Sequence, residues 1–193
     1  MTSPAPSYID LLPAPGEWTE ADYFPFSERG RLVEPSDGNL EVVDLPNDFH
    51  PLILLRLALL LQTFVSDHKL GKVRFAPLPV LLWSGKIREP DLMFMSIEHA
   101  STRIGHYWGV PDLAVEIISE GSAYKDREIK LQEYQRAGVG EYWIIDPVEK
   151  TVEIFEARGN YESARLYAAT ETLTSALFEG FSLSVADLFA EEE

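Results

Sequence analysis

The stretch Pro-Asp-Leu-Ala-Val-Glu-Ile-Ile-Ser at residues 111–119 is short and mostly apolar, and so is Glu-Tyr-Trp-Ile-Ile-Asp at residues 141–146. Such runs are typical of strands that are buried on both faces of a sheet. Between them, residues 124–137 show the spacing of an amphipathic helix that ends at Gly138, a common helix stop. A strand, a helix and a strand in this order predict a β-α-β unit, so part of the sheet should be parallel.

The rest of the chain predicts one long helix and several further strands. The helix over 124–137 should turn Ile129, Leu131 and Tyr134 to its apolar side. Residues 50–66 form the strongest predicted helix, and because it is apolar nearly all round, both of its sides should be covered. Further strands are predicted over 31–34, 40–43, 73–82, 89–95, 151–155 and 163–168, with the first two forming a hairpin. The predicted class is α/β with a mixed sheet.

The composition limits the kind of protein. The chain has 193 residues and no cysteine, which excludes a disulfide scaffold, a thiolate zinc site and a thiol nucleophile. Its 16 basic and 32 acidic residues give a net charge of −16, the opposite of what holds a protein on nucleic acid by charge alone. Any phosphate chemistry must therefore be local, with a cation supplying the missing positive charge.

The N-terminal residues and the apolar stretches predict the domain plan and the location. Four prolines in the first fifteen residues predict a flexible arm over 1–16, followed by a single domain over 17–193. The longest apolar stretch, 52–61, is shorter than the roughly 20 residues of a membrane helix, and no secretory signal is evident. We therefore expect a soluble cytoplasmic protein with no membrane partner.

Two carboxylates stand inside strand segments that are otherwise apolar. Asp91 opens the run Asp-Leu-Met-Phe-Met, and Glu116 lies within the 111–119 stretch. A buried carboxylate is costly unless it is paired or bound to a metal. On neighbouring strands the two could hold Mg²⁺, with Lys130 neutralising charge on a phosphate. The residues also allow blander interpretations, namely a buried Glu116–Lys130 salt bridge and an Asp126–Lys130 pair on a solvated helix face.

Four motifs together carry a family resemblance: Glu-Pro-Asp at 89–91, the 111–119 stretch, Asp126 with Lys130 and Tyr134, and Gly-Val-Gly-Glu-Tyr-Trp-Ile-Ile-Asp-Pro at 138–147. With them the chain resembles the PD-(D/E)XK phosphodiesterase superfamily, and within it the Uma-two family of proposed restriction endonucleases. The resemblance implies a restriction-endonuclease-like mixed β-sheet flanked by helices, with additional β-hairpins. It also implies a Mg²⁺-dependent endonuclease, in which Mn²⁺ can substitute, that acts on nucleic acid; DNA is the expected substrate by resemblance, and the residues themselves do not distinguish DNA from RNA.

The resemblance also implies roles for single residues. Asp91 and Glu116 match the two acidic positions and would bind the metal. The superfamily lysine two residues after Glu116 would be position 118, which is isoleucine here, so Lys130 on the next helix is expected to take its catalytic place. Glu34 and His50 match positions that would support the site from outside the metal ligands.

Three functions stay open at this point. The first is the metal-dependent endonuclease, and the second is an inactive member of the same fold that serves as a protein-binding or assembly module. The third is a sugar hydrolase that uses a carboxylate pair without metal. A homodimer is expected because the long apolar helix leaves surface to cover. For nucleic-acid binding, the sequence offers one group of basic residues: Arg56, Lys69, Lys72, Arg74, Lys86 and Arg88.

Overall fold

The computed structural model describes residues 12–19, 21–23, 33–42, 49–159 and 161–190. The strands in chain order are β1 Val33–Ser36, β2 Asn39–Val42, β3 Gly71–Phe75, β4 Val80–Trp83, β5 Lys86–Arg88, β6 Leu92–Ser96, β7 Arg103–Ile104, β8 Tyr107–Trp108, β9 Leu113–Ile117, β10 Glu141–Asp146, β11 Thr151–Glu156, β12 Arg165–Ala168, β13 Thr172–Thr174 and β14 Ser182–Ser184. The α-helices are α1 Phe49–Asp67, α2 Leu131–Ala137 and α3 Val185–Leu188.

The chain forms two compact units. The smaller unit contains Met1–Val43 and Trp83–Ile87, and the larger contains Asp44–Leu82 and Arg88–Glu193. Residues 1–11 of the predicted arm lie outside the described residues, and the single domain over 17–193 stays a prediction.

The smaller unit is built on the predicted hairpin. Strands β1 and β2 pair antiparallel around Asp37 and Gly38, whose φ angles are 48° and 79°. Glycine is needed at position 38 because φ is positive there and a Cβ atom would lie 2.3 Å from the carbonyl oxygen of Gly16. Lys86 is tied to this hairpin, since its Nζ lies 2.7 Å from the Ser36 hydroxyl and 2.8 Å from Asp37 Oδ2.

A six-stranded mixed sheet dominates the larger unit, with the strand order β12-β11-β10-β9-β6-β3. Strands β9 and β10 are parallel, which confirms the predicted β-α-β unit, and the other neighbours in this sheet are antiparallel. The α/β class with mixed sheets flanked by helices is therefore confirmed. Two predicted strands needed correction, because 73–82 divides into β3 and β4 and 89–95 shrinks to β6. Pro77 and Pro79 interrupt the first, since proline cannot donate to a strand ladder.

One face of this sheet packs against α1. The helix contributes Ile53, Leu57, Leu61 and Val65 at intervals of four residues, and each is at most 1% exposed. The strands and the C-terminal segment complete this core with Val73, Leu92, Phe94, Leu113, Val115, Ile117, Trp143, Ile145, Val152, Ile154, Phe178 and Phe181, among others.

The opposite side of α1 is apolar but exposed in the single chain. Leu55, Leu59 and Leu60 are 56%, 60% and 44% exposed, so the expectation that both sides would be covered is not met within one chain. By length and composition alone, α1 is also long and apolar enough to cross a membrane, although the predicted apolar stretch was too short. A single such helix is weak support for a membrane span, because core helices of other proteins pass the same test.

Replacing Leu57 by alanine should lower the free energy of unfolding by about 2–5 kcal/mol, because Leu57 is fully buried between α1 and the sheet. Leu59→Ala on the same helix is the matched control and should change it by less than about 0.5 kcal/mol. Urea unfolding followed by circular dichroism measures both. Equal losses in the two variants would contradict the packing of α1.

The helix predicted over 124–137 is present, but the face that it buries differs from the predicted one. It begins with a π-helical turn, Lys125–Lys130, and continues as α2 to Gly138, whose φ of 86° ends the helix as expected. Its buried side chains are Asp126, Lys130 and Tyr134, whereas Ile129 is 40% exposed. The predicted apolar side is therefore confirmed for Tyr134 and wrong for Ile129, whereas Leu131 is half-buried, and two charged residues face the sheet as well.

Candidate active site

The sheet brings Asp91 and Glu116 together. Strands β6 and β9 are antiparallel, with Leu92 opposite Val115 and Met93 opposite Ala114. Continued by one residue, this register puts Asp91 opposite Glu116, where side chains of an antiparallel pair lie about 5 Å apart at Cβ. Both project from the face opposite α1, because their neighbours Leu92 and Val115 belong to the α1 core.

Asp91 is held from two sides and stays open to solvent. Its Oδ2 accepts a 2.7 Å hydrogen bond from the backbone N–H of Ile117 and lies 3.1 Å from Nε2 of His50 at the start of α1. The side chain is 19% exposed, so a ligand can reach it. His50 thus lies beside a predicted metal ligand, where it can orient the carboxylate.

Glu116 is almost fully buried, and both of its oxygens have partners. Tyr134 donates a 2.7 Å hydrogen bond to Oε1, and Nζ of Lys130 lies 2.8 Å from Oε2. The Glu116 side chain is only 4% exposed. The pairing with Lys130 agrees with the blander interpretation of a buried salt bridge, and it also brings the predicted lysine to the predicted carboxylate.

Lys130 is shared between two carboxylates. Besides Glu116, its Nζ lies 3.0 Å from Oδ1 of Asp126, an atom that forms an ion pair but no hydrogen bond. The other oxygen of Asp126 accepts a 2.6 Å hydrogen bond from Ser122. Asp126 is 2% exposed, which rules out the solvated helix face and makes it part of the buried group.

The resulting cluster carries more negative than positive charge. Asp91, Glu116 and Asp126 supply three carboxylates against the single ammonium of Lys130, with the imidazole of His50 at the rim. The pKa of the nearby Tyr142 hydroxyl reflects this excess of negative charge. Burial, followed by the nearby Glu116, Asp126 and Asp91, raises the pKa of the Tyr142 hydroxyl well above its ordinary value. A cation would relieve this excess charge.

The donor set fits a magnesium ion. Among the residues that the structure describes, no group of three or more His, Cys, Asp and Glu side chains forms a metal site. Magnesium does not require one, because it commonly binds one or two carboxylates and keeps water and substrate phosphate as its other ligands. Asp91 and Glu116 are the residues that would hold it.

Two further predicted residues, Glu34 and Arg88, are buried. Glu34 is on β1 in the smaller unit and is buried. Arg88 is fully buried on β5 and makes two hydrogen bonds, of 2.7 Å and 3.0 Å, to the Glu133 carboxylate on α2. Glu141 and Asp146 stabilise the structure around β10, since Glu141 accepts hydrogen bonds from the Trp143 indole N–H, the Ser175 hydroxyl and the Leu177 backbone N–H, and Asp146 accepts one from Arg127.

Sequence reasoning underestimated Asp126 and Tyr134 as members of the cluster. Tyr134 was interpreted as a core residue, although its hydroxyl contacts Glu116. A signal was available, because Asp126, Lys130 and Tyr134 follow one another at intervals of four residues and therefore share one helix face. The apolar residues Ile129 and Leu131 instead predicted that a different face of the helix is buried.

The fold is shared with a solved structure. The chain has the fold of a "putative nuclease belonging to DUF820" from Anabaena variabilis, with a TM-score of 0.72 over 89% of this chain and 97% of that chain. The two are 16% identical, so this likeness concerns the fold. No functionally curated protein matches the sequence.

The family follows from the sequence itself. The profile of the Uma2 family, described as "Putative restriction endonuclease", matches residues 18–186, which is most of the chain. The chain therefore belongs to the Uma-two family, and the predicted family is confirmed. Membership of this family supports a nuclease that acts on nucleic acid.

Proposed function

We propose that this protein is a Mg²⁺-dependent endonuclease that hydrolyses phosphodiester bonds of DNA with water as the nucleophile. The observation that carries the proposal is the placement of Asp91 and Glu116 opposite each other on β6 and β9, with Lys130 2.8 Å from Glu116. Two carboxylates and one ammonium on one sheet face match the needs of phosphodiester hydrolysis, which are a cation and a neutralising group beside the phosphate.

Each residue has a distinct task in this proposal. Asp91 and Glu116 hold the magnesium ion, which when bound lowers the pKa of the attacking water and offsets charge on the phosphate. Lys130 places its ammonium beside a phosphate oxygen, and Asp126 keeps that ammonium in position when Glu116 is engaged. His50 and Tyr134 orient the two metal-binding carboxylates through the contacts described above.

A second candidate is the assembly module that keeps the fold without catalysis. The exposed leucines of α1 favour association with another protein, and a homodimer through this face remains part of the proposal. The buried cluster favours catalysis, because two buried carboxylates that share one lysine, with a third carboxylate on the neighbouring strand, cost stability that a purely structural site could avoid with apolar residues. The sugar hydrolase is disfavoured by membership of a nuclease family.

Calorimetric titration with Mn²⁺ is the first test. The wild type should bind the ion, and Asp91→Asn and Glu116→Gln should each lose this binding because each removes a charged oxygen ligand. Glu179→Gln is the matched control, since it removes the same charge from an exposed position and should bind like the wild type. Circular dichroism verifies that all four proteins are folded.

The outcomes separate the candidates. Binding that vanishes only in the two site variants supports the metal site and justifies assays of DNA cleavage with Mg²⁺. If the wild type binds no ion with or without DNA present, the metal-dependent mechanism is wrong and the assembly module takes its place. Hydrolysis that persists after chelation of all divalent ions would likewise exclude the mechanism.

A further inference from the structure

The basic residues that the sequence offered for nucleic-acid binding differ in availability. Lys86 and Arg88 are buried, and each is paired with a carboxylate. The guanidinium of Arg56 donates hydrogen bonds to the carbonyls of Leu188 and Ala190 at the end of α3. By contrast, Lys72 and Arg74 on β3 are exposed. Neither forms an ion pair with any residue in the described ranges.

Lys72 and Arg74 lie on the same sheet face as the candidate active site. Side chains alternate along a strand, and Val73 between them points into the α1 core. Their side chains therefore project from the opposite face, which is also the face of Asp91 and Glu116. Because β3 is the last strand of its sheet, this row of cations borders open solvent.

The register places Arg74 close to Asp91 and Lys72 two residues further along β3. Arg74 is opposite Met93 on β6, and the next link along the same ladder joins the N–H of Ala76 to the carbonyl of Asp91. Arg74 is thus one strand across and two residues along from Asp91, or about 5 Å by about 7 Å between backbones. A long side chain spans such a distance to a phosphate next to the one being cleaved.

The Arg74 guanidinium is also oriented in advance. It donates a 2.7 Å hydrogen bond to the carbonyl of Val73, and its central carbon lies 6.0 Å from the centre of the buried Trp108 ring. One of its five N–H groups is used in this way, and the others can donate to an anion. In a chain of net charge −16, two exposed cations that form no ion pair within the described residues mark where a polyanion can approach.

We propose that Lys72 and Arg74 form a phosphate-binding edge that carries the DNA strand along β3 to Asp91 and Glu116. The proposal rests on the nuclease function proposed above and names the surface that binds its substrate. Arg74 neutralises a phosphate next to the reacting position, and Lys72 neutralises one further along the strand. The pair thereby provides local attraction in a chain whose net charge is −16.

The test is the salt dependence of DNA binding. Fluorescence anisotropy with a labelled duplex, in buffer that contains Ca²⁺ in place of Mg²⁺, gives the binding constant over a series of NaCl concentrations. The slope of log K against log[salt] should become shallower by about 1.8 in Lys72→Ala/Arg74→Ala, because each phosphate contact on duplex DNA contributes about 0.9. A single strand should show a change of about 1.4, at about 0.7 per contact.

The matched control is Lys150→Ala/Arg158→Ala, which removes the same two charges from exposed positions away from β3. Its slope should equal that of the wild type. Equal slopes in wild type and the β3 variant would overturn the proposal, and so would equal changes in both double variants. A wild type that binds no DNA at any salt concentration would also overturn it.

The experiments distinguish a failure of the phosphate-binding edge from a failure of the proposed catalysis. If DNA binding depends on Lys72 and Arg74 but no divalent ion supports DNA hydrolysis, the phosphate-binding edge is supported and the proposed catalysis is wrong. If the protein hydrolyses DNA but the β3 variant has the salt slope of the wild type, the proposed catalysis is supported and the phosphate-binding edge is wrong.

Discussion

Replacing Glu116 by glutamine should lower the rate of DNA cleavage by about a thousandfold, because a lost metal ligand removes several kcal/mol of stabilisation from the transition state. The free energy of unfolding should change by no more than about 1 kcal/mol. Lys130 still has Asp126 as its partner, and the amide oxygen of glutamine can still accept the hydrogen bond from Tyr134. Initial rates on plasmid DNA and urea unfolding measure the two effects.

Glu179→Gln serves as the control and should cleave like the wild type. Cleavage by Glu116→Gln at the wild-type rate would show that Glu116 is not a ligand. A loss of several kcal/mol in stability with no independent loss of cleavage per folded molecule would assign Glu116 a structural role.

Replacing Lys130 by methionine should lower the free energy of unfolding by about 3–5 kcal/mol in metal-free buffer, because it leaves two buried carboxylates without their shared cation. Glu116 and Asp126 both lie within 3.0 Å of its Nζ, and their side chains are 4% and 3% exposed. Lys150→Met, at an exposed position, should change stability by less than about 0.5 kcal/mol. Urea unfolding in the presence of a chelator compares the two variants.

The same variant separates the lysine from the metal ligands. Mn²⁺ should bind Lys130→Met at least as tightly as the wild type, since the ammonium no longer competes with the ion for Glu116. DNA cleavage should nevertheless be lost with the group that neutralises the phosphate. A variant as stable as the wild type would mean that the carboxylates do not depend on Lys130.

Much of the fold could be predicted from local pattern. Strand β10 was predicted at its observed residues, and the hairpin turn at Asp37 and Gly38 and the helix end at Gly138 were correct. These features depend on short-range properties, namely continuous apolar runs and residues that tolerate positive φ. The prediction of one long strand over 73–82 was wrong, because it followed the strand-forming residues on both sides of Pro77 and passed over the break that this proline causes.

The candidate site could be predicted only in part. Asp91, Glu116 and Lys130 were predicted from charge within apolar strands and from the family motifs, and the structure brings all three to one sheet face. Asp126 was predicted only as part of a pair with Lys130 on a solvated helix face and as a residue of a family motif. Its role depends on whether its helix face is buried, and helical spacing alone does not decide that.

The sequence by itself determined the α/β class, the β-α-β unit and the family, because these follow from residue periodicity and from motifs that are contiguous in the chain. Only the tertiary structure shows which charged side chains lie close together. Lys72 and Arg74 are exposed on the edge strand β3 and form no ion pair with any residue that the structure describes, whereas Lys86 and Arg88, later in the chain, are buried in ion pairs. The physical reason is that strand register and helix packing set the distance between charges, and residues far apart in the chain set both of these.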